Sequence, residues 1–427
     1  MGKLRIVGLG PTNEKDLTVK ALEAIHDESK KFLRTEAHDA VAYFHSHHIP
    51  YQSYDYLYES EDDFDSIYRA ICEDLMERSR DEDITYFVPG HPLIAEKTVI
   101  YLLEKDPAIE IVDGLSFIEP VLASVKRDPI DGMKIINGDD FSDLDLDMHV
   151  DTIVTQVYNQ RIVRELKLAL SELYGDEHEV FVLSHAGHEE KAFFEKRPVY
   201  LLDRFDDYGY ETSLFVPKTE EHGDVRDIVR LIRRLRGPEG CPWDGKQTHE
   251  SMKAHLIEEA YEAAYAIDCK DDFAMEEELG DVLFQVIFHA ELAAQEGTFT
   301  LASLVRVLVD KMIRRHPHVF QNGVSDWEGI KSAERGSQRL SQKLRHYDGL
   351  PALMRGQKTI RLTESDLLIS EATADMDEDS RRIAQGLIEV LTDAENCGID
   401  AESLLATTMA RFTDLLSEKE RSEHENL

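Results

Sequence analysis

The fold of the second half of this chain is decided by residues 255–291, HLIEEAYEAAYAIDCKDDFAMEEELGDVLFQVIFHAE. Two acidic motifs lie in this stretch, Glu-Glu-x-x-Glu at 258–262 and Glu-x-x-Asp at 278–281. Apolar residues recur around both motifs with helical spacing, and the polar break at 268–272 is typical of a tight turn. The stretch therefore predicts two antiparallel helices joined by a short connection.

Four carboxylates should meet across this hairpin. In an antiparallel pair, residues whose numbers have the same sum face each other, so Glu259 should oppose Asp281 and Glu262 should oppose Glu278. Residues three apart on one helix share a face, which brings the four side chains into one cluster. Such a cluster is repulsive unless its pKa values rise or a cation neutralises it. Because hard oxygen ligands suit Mg²⁺ or Mn²⁺, we predict a divalent-metal site with Mg²⁺ as the expected ion.

Two other interpretations of the acidic motifs compete with a magnesium site. One is a solvated acidic face, but the apolar flanks indicate helices largely buried in a bundle, where carboxylates need a partner. The other is a di-iron bundle, which would carry Glu-x-x-His on its helices. Neither helix has that spacing, because His255 and His289 are preceded three positions earlier by Met252 and Val286.

The residues on either side of the hairpin indicate what the metal would hold. A rigid loop, Gly-Cys-Pro-Trp-Asp at 240–244, precedes it, and a third predicted helix, about Leu301 to Arg315, follows it and ends in a basic patch. The candidate nucleotide-binding residues are Trp243, Lys311, Arg314, Arg315, Trp327 and Lys331. A hard metal, clustered cations and aromatic rings together suit a nucleoside polyphosphate. The alternative is that the cations only complement the helix dipole and that both tryptophans lie in the core.

Residues 236–331 closely resemble the MazG family of nucleoside triphosphate pyrophosphohydrolases. The resemblance rests on five motifs in order: Gly-Cys-Pro-Trp-Asp (240–244), Glu-Glu-x-x-Glu (258–262), Glu-Leu-Gly-Asp (278–281), Arg-Arg-His-Pro-His-Val-Phe (314–320) and Trp-Glu-x-x-Lys (327–331). It implies an all-α bundle, assembled as a homodimer or a higher homo-oligomer. The implied reaction is Mg²⁺-dependent hydrolysis of an NTP or dNTP to the monophosphate and pyrophosphate.

The resemblance also assigns roles to individual side chains. The implied metal ligands, which are the catalytic carboxylates, are Glu259, Glu262, Glu278 and Asp281. The implied triphosphate contacts are Lys311, Arg314 and Arg315, with Trp327 and Lys331 near the nucleotide. Glu258 adjoins the quartet without being one of the mirrored positions. We take Glu258 as the candidate general base for the attacking water, or as a residue that fixes a ligand.

Composition limits the partners. The chain has 427 residues, too many for one ordinary domain, and 48 Lys and Arg against 86 Asp and Glu, a formal net charge of −38. Such a surface repels nucleic acids and anionic membranes, so we expect neither as a partner. The four cysteines are scattered without zinc-site spacing. No signal peptide or long apolar run is present, and we therefore expect a cytoplasmic protein.

Residues 1–217 alternate short apolar runs with helical stretches, which is typical of an α/β domain. The predicted strands are Leu4–Leu9, Ile84–Val88, Ile109–Val112, Thr152–Val157, Val180–Leu183, Val199–Leu202 and Ser213–Val216. The first of them runs into Gly-Leu-Gly-Pro-Thr at 8–12, where glycine lets backbone approach a ligand closely. This is not a dinucleotide fingerprint, because Asn13 stands where a third glycine is needed.

Together with Val-Pro-Gly-His-Pro at 88–92 and Asp-Gly-Leu-Ser at 113–116, this region resembles the tetrapyrrole (corrin/porphyrin) methylase family. The resemblance implies two α/β lobes with S-adenosylmethionine in the cleft between them. The implied cofactor-binding residues are Gly8, Gly10, Pro11, Gly90 and His91. Thr12 and His91 depart from the Gly-Pro-Gly and Gly-Asp-Pro of the family, so we expect weak S-adenosylmethionine binding or none.

The predicted layout has four parts: a methylase-like domain (1–217), a linker (218–224), a MazG-like pyrophosphohydrolase domain (225–345) and a degenerate second MazG-like repeat (346–427). In the last part, Arg382 and Gln385 stand near the positions of the Glu-x-x-Asp motif, so it should not bind Mg²⁺. The order of domains resembles YabN-type bifunctional proteins.

The sequence favours a nucleoside triphosphate pyrophosphohydrolase. One alternative is an S-adenosylmethionine-dependent methyltransferase of the tetrapyrrole methylase family, whose helical half is only a dimerisation scaffold. A nucleotide-sensing module without turnover is a further alternative. The intact acidic quartet and its basic patch argue against both.

Overall fold

All ten strands of the described chain lie in its first half. A computed structural model describes residues 2–60, 63–320, 340–363 and 371–424. The strands are β1 (Leu4–Gly8), β2 (Lys30–Leu33), β3 (Gln52–Ser53), β4 (Ile84–Val88), β5 (Glu110–Val112), β6 (Met133–Asn137), β7 (Asp151–Thr155), β8 (Glu179–Ser184), β9 (Phe193–Pro198) and β10 (Thr212–Val216). The chain divides into two compact units, residues 1–224 and 225–427, of which the first is α/β and the second helical.

The first unit contains two five-stranded sheets. The first sheet has the order β3-β2-β4-β1-β5 with every pair parallel, and β1 pairs with β4 from Leu4 opposite Ile84 to Gly8 opposite Val88. The second sheet has the order β6-β7-β10-β8-β9, in which only β6 and β7 are parallel. Parallel strands need covered faces, and side chains from the described helices of this unit pack into the apolar cores on both faces of the first sheet.

The helices of the first unit connect and cover these strands. They are α1 (Val19–His26), α2 (Val41–Ser46), α3 (Asp55–Ser60), α4 (Phe64–Arg78), α5 (Lys97–Lys105), α6 (Ile118–Val125) and α7 (Gln160–Tyr174). Side chains alternate between the two faces of a strand, so Ile6 packs into one apolar core and its neighbour Val7 into another. In the second sheet, Ile153 and Val154 divide in the same way. The carboxyl ends of β1 and β4 therefore meet at one edge of a sheet that is buried on both faces.

The sequence misassigns one strand and misses others. Val199–Leu202 lies within a 3₁₀ helix, Val199–Arg204, because Pro198 ends β9 and has no N–H for a continued ladder. The missed strands include β9, whose residues alternate between partly buried and exposed, as expected for an edge strand rich in charge. Predicted strands at the centre of each sheet are present because their side chains are buried on both faces.

The second unit is helical. Its described helices are α8 (Val225–Leu235), α9 (His249–Cys269), α10 (Asp272–Glu296), α11 (Leu301–Arg315), α12 (Pro317–Phe320), α13 (Leu340–Arg345), α14 (Ala352–Leu362), α15 (Glu378–Asn396) and α16 (Ala401–His424). A small core of Ile232, Met252, Ile287, Phe288 and Leu292 joins α8, α9 and α10. In the described ranges no single helix is long and apolar enough to cross a membrane, and α10 with α11 passes such a test only as a pair bent by 119°.

Candidate metal and nucleotide site

The acidic hairpin begins and turns at well-formed caps. Thr248 and Ser251 form a capping box at the start of α9, in which each hydroxyl oxygen accepts the backbone N–H of the other residue. Lys270, in the left-handed conformation, ends α9, and the Asp271 side chain accepts the N–H of Ala274 to begin α10. The two-residue connection makes α9 and α10 antiparallel neighbours.

This hairpin brings three of the four predicted carboxylates together, and the fourth, Asp281, acts on Glu259 and Glu278 through its charge. Glu259, Glu262 and Glu278 each offer one oxygen, and these three oxygens lie within 4.8 Å of one another. Partial burial and then the negative charges of Asp281 and Glu262 raise the pKa of Glu259. The pKa of Glu278 is also raised, first by lost solvation and then by the charge of Glu262. The neighbours that raise these pKa values are those expected from the antiparallel register.

The donor set suits a hard divalent cation. The oxygens are all carboxylate oxygens within 4.8 Å of one another, and like charges at such distances repel when they are ionised. A cation would relieve that repulsion. Oxygen-only ligands of this kind fit Mg²⁺ or Mn²⁺ better than zinc or iron.

Glu258 lies beside the cluster rather than in it. Its carboxylate is 62% exposed, and its Oε2 atom lies 3.6 Å from Nδ1 of His255, three residues earlier on α9. An exposed carboxylate next to a metal-binding group can accept a proton from water. Its role as a general base stays a prediction.

The Gly-Cys-Pro-Trp-Asp loop packs tightly between α8 and α9. A Cβ added at Gly240 would stand 2.1 Å from the carbonyl oxygen of Leu235, so only glycine fits there. The N–H of Cys241 donates to that same carbonyl at 2.7 Å. Trp243 is nevertheless 55% exposed, and its ring meets that of His255 edge to face at 6.3 Å between centroids. The alternative that Trp243 belongs to the core is therefore wrong.

The predicted basic patch lies at the end of α11. Lys311 and Arg315 are partly buried and Arg314 is exposed. The helix ends where His316 Nδ1 contacts the carbonyl of Met312 at 2.7 Å. The other two predicted nucleotide contacts, Trp327 and Lys331, lie outside the residues that the structure describes.

The burial predicted for the two helices of the acidic hairpin, α9 and α10, is wrong for a single chain. Apolar side chains on α9, α10 and α11 remain substantially exposed, including Ile257, Ile267, Leu279, Val305 and Val307, the last at 67%. The pattern of apolar residues is real, but the elements of one chain cover only part of it. Helices with such uncovered apolar faces normally pack against another surface.

The glycines of the first unit meet at the carboxyl edge of the parallel sheet. Gly10 and Gly90 exchange two backbone hydrogen bonds, of 3.2 and 2.8 Å. A Cβ at Gly8 would lie 2.4 Å from the carbonyl oxygen of Gly90 and 2.8 Å from Cα of Gly114, so backbone fills this space. Beside Gly90 there is room, since a Cβ there would meet no atom closer than 4.0 Å.

Thr12 and His91, the two residues that depart from the methylase motifs, both make hydrogen bonds within their own loops at this edge of the sheet. Thr12 is 8% exposed, and its hydroxyl and backbone N–H both donate to Asp16, at 2.5 and 3.0 Å. Its side chain thus takes space that a glycine would leave empty. His91 Nδ1 accepts the N–H of Leu93, and Pro11 is partly buried. Weak or absent binding of S-adenosylmethionine at this edge stays a prediction that rests on Thr12 and His91.

Among the described residues after 345, no acidic cluster is found at the degenerate positions. Arg382 and Gln385 lie on α15 with exposed side chains, and Arg382 pairs with Asp379 at 3.8 Å. Gln357 on α14 bonds the carbonyl of Ile399 at 2.7 Å and the N–H of Ala401 at 2.8 Å, which fixes the connection between α15 and α16. The assignment of residues 346–427 as a degenerate second repeat stays a prediction.

Sequence reasoning missed two groups near the hairpin. His249 and His289 stack in nearly parallel planes with their Nδ1 atoms 2.8 Å apart, and burial lowers the pKa of His289. Arg236 contacts both the Gly-Cys-Pro-Trp-Asp loop and α10. Neither is marked by a local motif, because the partners lie about ten to sixty positions away in the chain.

Comparison with known families agrees with this architecture. The family described as tetrapyrrole (corrin/porphyrin) methylases matches residues 3–198, and the family described as MazG nucleotide pyrophosphohydrolase domain matches residues 247–320. The class is thus a methylase-type α/β domain joined to a MazG-type helical domain. YabN of Bacillus subtilis is 36% identical over 373 residues, covering 84% of this chain and 76% of YabN. The chain belongs to the YabN family.

Other similarities cover one part of the chain each. The nucleoside triphosphate pyrophosphohydrolase/pyrophosphatase MazG of Thermotoga maritima is 52% identical over 120 residues, which are 27% of this chain and 47% of that protein. The chain spans about half the length of such relatives. Among solved structures, a diphthine synthase superposes with a TM-score of 0.40 at 16% identity, covering 52% of this chain and 92% of that one.

Proposed function

We propose that the helical half hydrolyses nucleoside triphosphates or deoxynucleoside triphosphates between the α- and β-phosphates, with Mg²⁺ as the metal. The products are the monophosphate and pyrophosphate, a reaction suited to clearing unwanted nucleotides from the pool. The observation that carries the proposal is the carboxylate cluster of Glu259, Glu262 and Glu278 within 4.8 Å, with Asp281 raising the pKa of Glu259. The match to the MazG family supports it.

Each group of side chains has a separate role in the proposed reaction. The four carboxylates would hold Mg²⁺, which when bound neutralises phosphate charge and lowers the pKa of a coordinated water. The C-terminal part of α11 carries Lys311, Arg314 and Arg315, which would bind the phosphate oxygens and offset the repulsion between a triphosphate and a chain of charge −38. Glu258 is free to take the proton of the attacking water, since it lies outside the cluster.

Exposed apolar surface supports a homo-oligomer. Several large apolar side chains on α9, α10 and α11 are exposed in one chain. Ile267 is 52% exposed and Val307 is 67% exposed. A second copy packed on these helices would remove that surface from water, at roughly 25 cal/mol for each Å². We propose that the helical half assembles as a homodimer or a higher homo-oligomer, and light scattering after size exclusion tests it.

The decisive experiment is product analysis on a panel of nucleotides. Purified protein is incubated with each of the common NTPs and dNTPs, with Mg²⁺ or with a chelator, and products are followed by phosphorus NMR. Pyrophosphate and the monophosphate should appear together, and only with the metal. Diphosphate and orthophosphate as first products would refute the cleavage site, and no turnover of any nucleotide would refute the proposed activity.

A further inference from the structure

Arg236, directly after α8, uses its guanidinium as a bridge. The Nη1 atom donates to the carbonyl oxygens of Asp244 and Gln247, the latter at 3.3 Å. On the other edge, Nε and Nη2 both donate to Oε1 of Gln295 on α10, at 3.2 and 3.0 Å. The guanidinium carbon also lies 5.0 Å from the ring centre of Phe288, which is fully buried. These contacts occupy both edges and one face of the group.

The carbonyls that Arg236 binds belong to the loop that presents Trp243. Gln247 donates from Nε2 to the carbonyl of Trp243 at 3.1 Å, and Lys246 donates its N–H to the same oxygen at 3.1 Å. Asp244, next to Trp243, is 8% exposed. Arg236 therefore ties the backbone on the C-terminal side of Trp243 to α10, the helix that carries Glu278.

Trp243 contacts α9 just before the acidic motif. Its ring meets His255, which lies one helical turn before Glu259 on the same face of α9. His255 in turn contacts Glu258 at 3.6 Å. A half-exposed tryptophan held rigidly beside a phosphate-binding metal site suits stacking against a nucleotide base, because every base has a π-face that an aromatic ring can cover.

We infer that Arg236 is a positioning residue: it holds Trp243 at a fixed place beside the carboxylate cluster, where the indole stacks on the base of the bound nucleotide. This inference rests on the proposed function. It assigns Arg236 no contact with substrate, since four of the five guanidinium N–H groups donate to Asp244, Gln247 and Gln295. The flat, forked geometry of arginine is needed, because lysine would keep the charge but could not bind both sides at once.

The kinetic test compares Arg236→Lys with Arg234→Lys, which makes the same change at an exposed position of α8. Arg236→Lys should raise KM for the nucleotide by about tenfold, the usual effect of losing a hydrogen bond to a charged group, with kcat nearly unchanged. Arg234→Lys should change neither. A fall in kcat at unchanged KM would overturn the inference, as would kinetics equal to those of Arg234→Lys.

A second readout needs no turnover. The chain has two tryptophans, so in a Trp327→Phe background all tryptophan fluorescence comes from Trp243. Without nucleotide, Arg236→Lys should lower the fluorescence anisotropy and increase quenching by acrylamide, and Arg234→Lys should not. Unchanged fluorescence refutes the inference even where KM rises. If no nucleotide is hydrolysed by the wild type, the proposed function fails, while this comparison still decides whether Arg236 holds Trp243.

A third variant covers the case in which Arg236→Lys does not fold. Gln295→Leu removes the acceptor on α10 from an exposed position and leaves Arg236 in place. It should shift KM and Trp243 fluorescence in the same direction as Arg236→Lys and by less. If a folded Gln295→Leu protein has the KM and the Trp243 fluorescence of the wild type, Arg236 does not connect α10 to the loop and the inference is refuted.

Discussion

Replacing Glu259 by Gln should abolish catalysis and at the same time stabilise the metal-free protein. The carboxylate oxygens of the cluster lie within 4.8 Å of each other, a distance at which two unit charges repel by about 1 kcal/mol in water. Glu259 faces two such charges, those of Glu262 and Glu278, and the charge of Asp281 also acts on it. Because the site is half exposed, salt and solvent screen much of this repulsion, so we expect a net gain of about 1 kcal/mol in the free energy of unfolding.

The pH dependence of stability provides a separate test of whether the Glu259 carboxylate destabilises the metal-free protein. The pKa of Glu259 is raised in the folded chain, so the folded state binds more protons than the unfolded state in the range between the ordinary carboxylate pKa and the raised one. The stability of the metal-free wild type should therefore fall as pH rises through that range. Glu259→Gln should flatten this fall, and so should saturating Mg²⁺ on the wild type.

Urea denaturation followed by circular dichroism, in chelator and in Mg²⁺, measures the stability, and pyrophosphate release measures the activity. Glu276→Gln is the matched control, because it removes the same charge from an exposed position of α10 outside the cluster. Turnover should fall at least about a hundredfold in Glu259→Gln, since even partners of metal ligands are worth ten- to a hundredfold. Near-normal turnover, or a loss of metal-free stability relative to Glu276→Gln, would refute the reasoning.

Three further predictions concern the reaction, the first unit and the tail. With ¹⁸O-labelled water, one label should enter the nucleoside monophosphate and none the pyrophosphate, as mass spectrometry would show; label in pyrophosphate would mean attack on the β-phosphorus. Titration of the full-length protein with S-adenosylmethionine in a calorimeter should give little or no heat, because Thr12 is buried against Asp16 at the expected site, and micromolar binding would restore the methyltransferase alternative. A chain ending at Asp348 should keep its turnover per subunit in the same oligomer, since Arg382 cannot bind Mg²⁺; half of the activity surviving in full-length Glu278→Ala would reveal a second working site.

The acidic hairpin shows how far local sequence can lead. The caps at Thr248 and Asp271 and the two-residue connection fix the antiparallel register, and that register alone decides that Glu262 and Glu278 are neighbours. The third helix has its predicted bounds, Leu301–Arg315, because Thr300 caps its start and Pro317 prevents its continuation. The residues that set these helix ends and this register lie within a few helical turns of one another in the sequence.

Other expectations failed where distant residues decide. Apolar periodicity predicts that a helix face will be covered, but it does not say by which surface, and in one chain Ile267 of α9 stays 52% exposed. The strand expected at Val199–Leu202 is a 3₁₀ helix because the chain leaves the sheet at Pro198. Trp243 is exposed although tryptophan usually lies in a core, because its loop is held outward between α8 and α9.

By itself, the sequence determined the order of an α/β and a helical unit, the hairpin and the set of carboxylates that face each other. These depend on periodicity, capping and register, which are properties of neighbouring residues. Only the tertiary structure decided that Thr12 is buried against Asp16 at the sheet edge where a cofactor was expected. It also decided that Arg236 joins the loop that carries Trp243 to α10. Hydrogen bonds between residues up to 59 positions apart depend on how whole elements pack, and no local pattern encodes that packing.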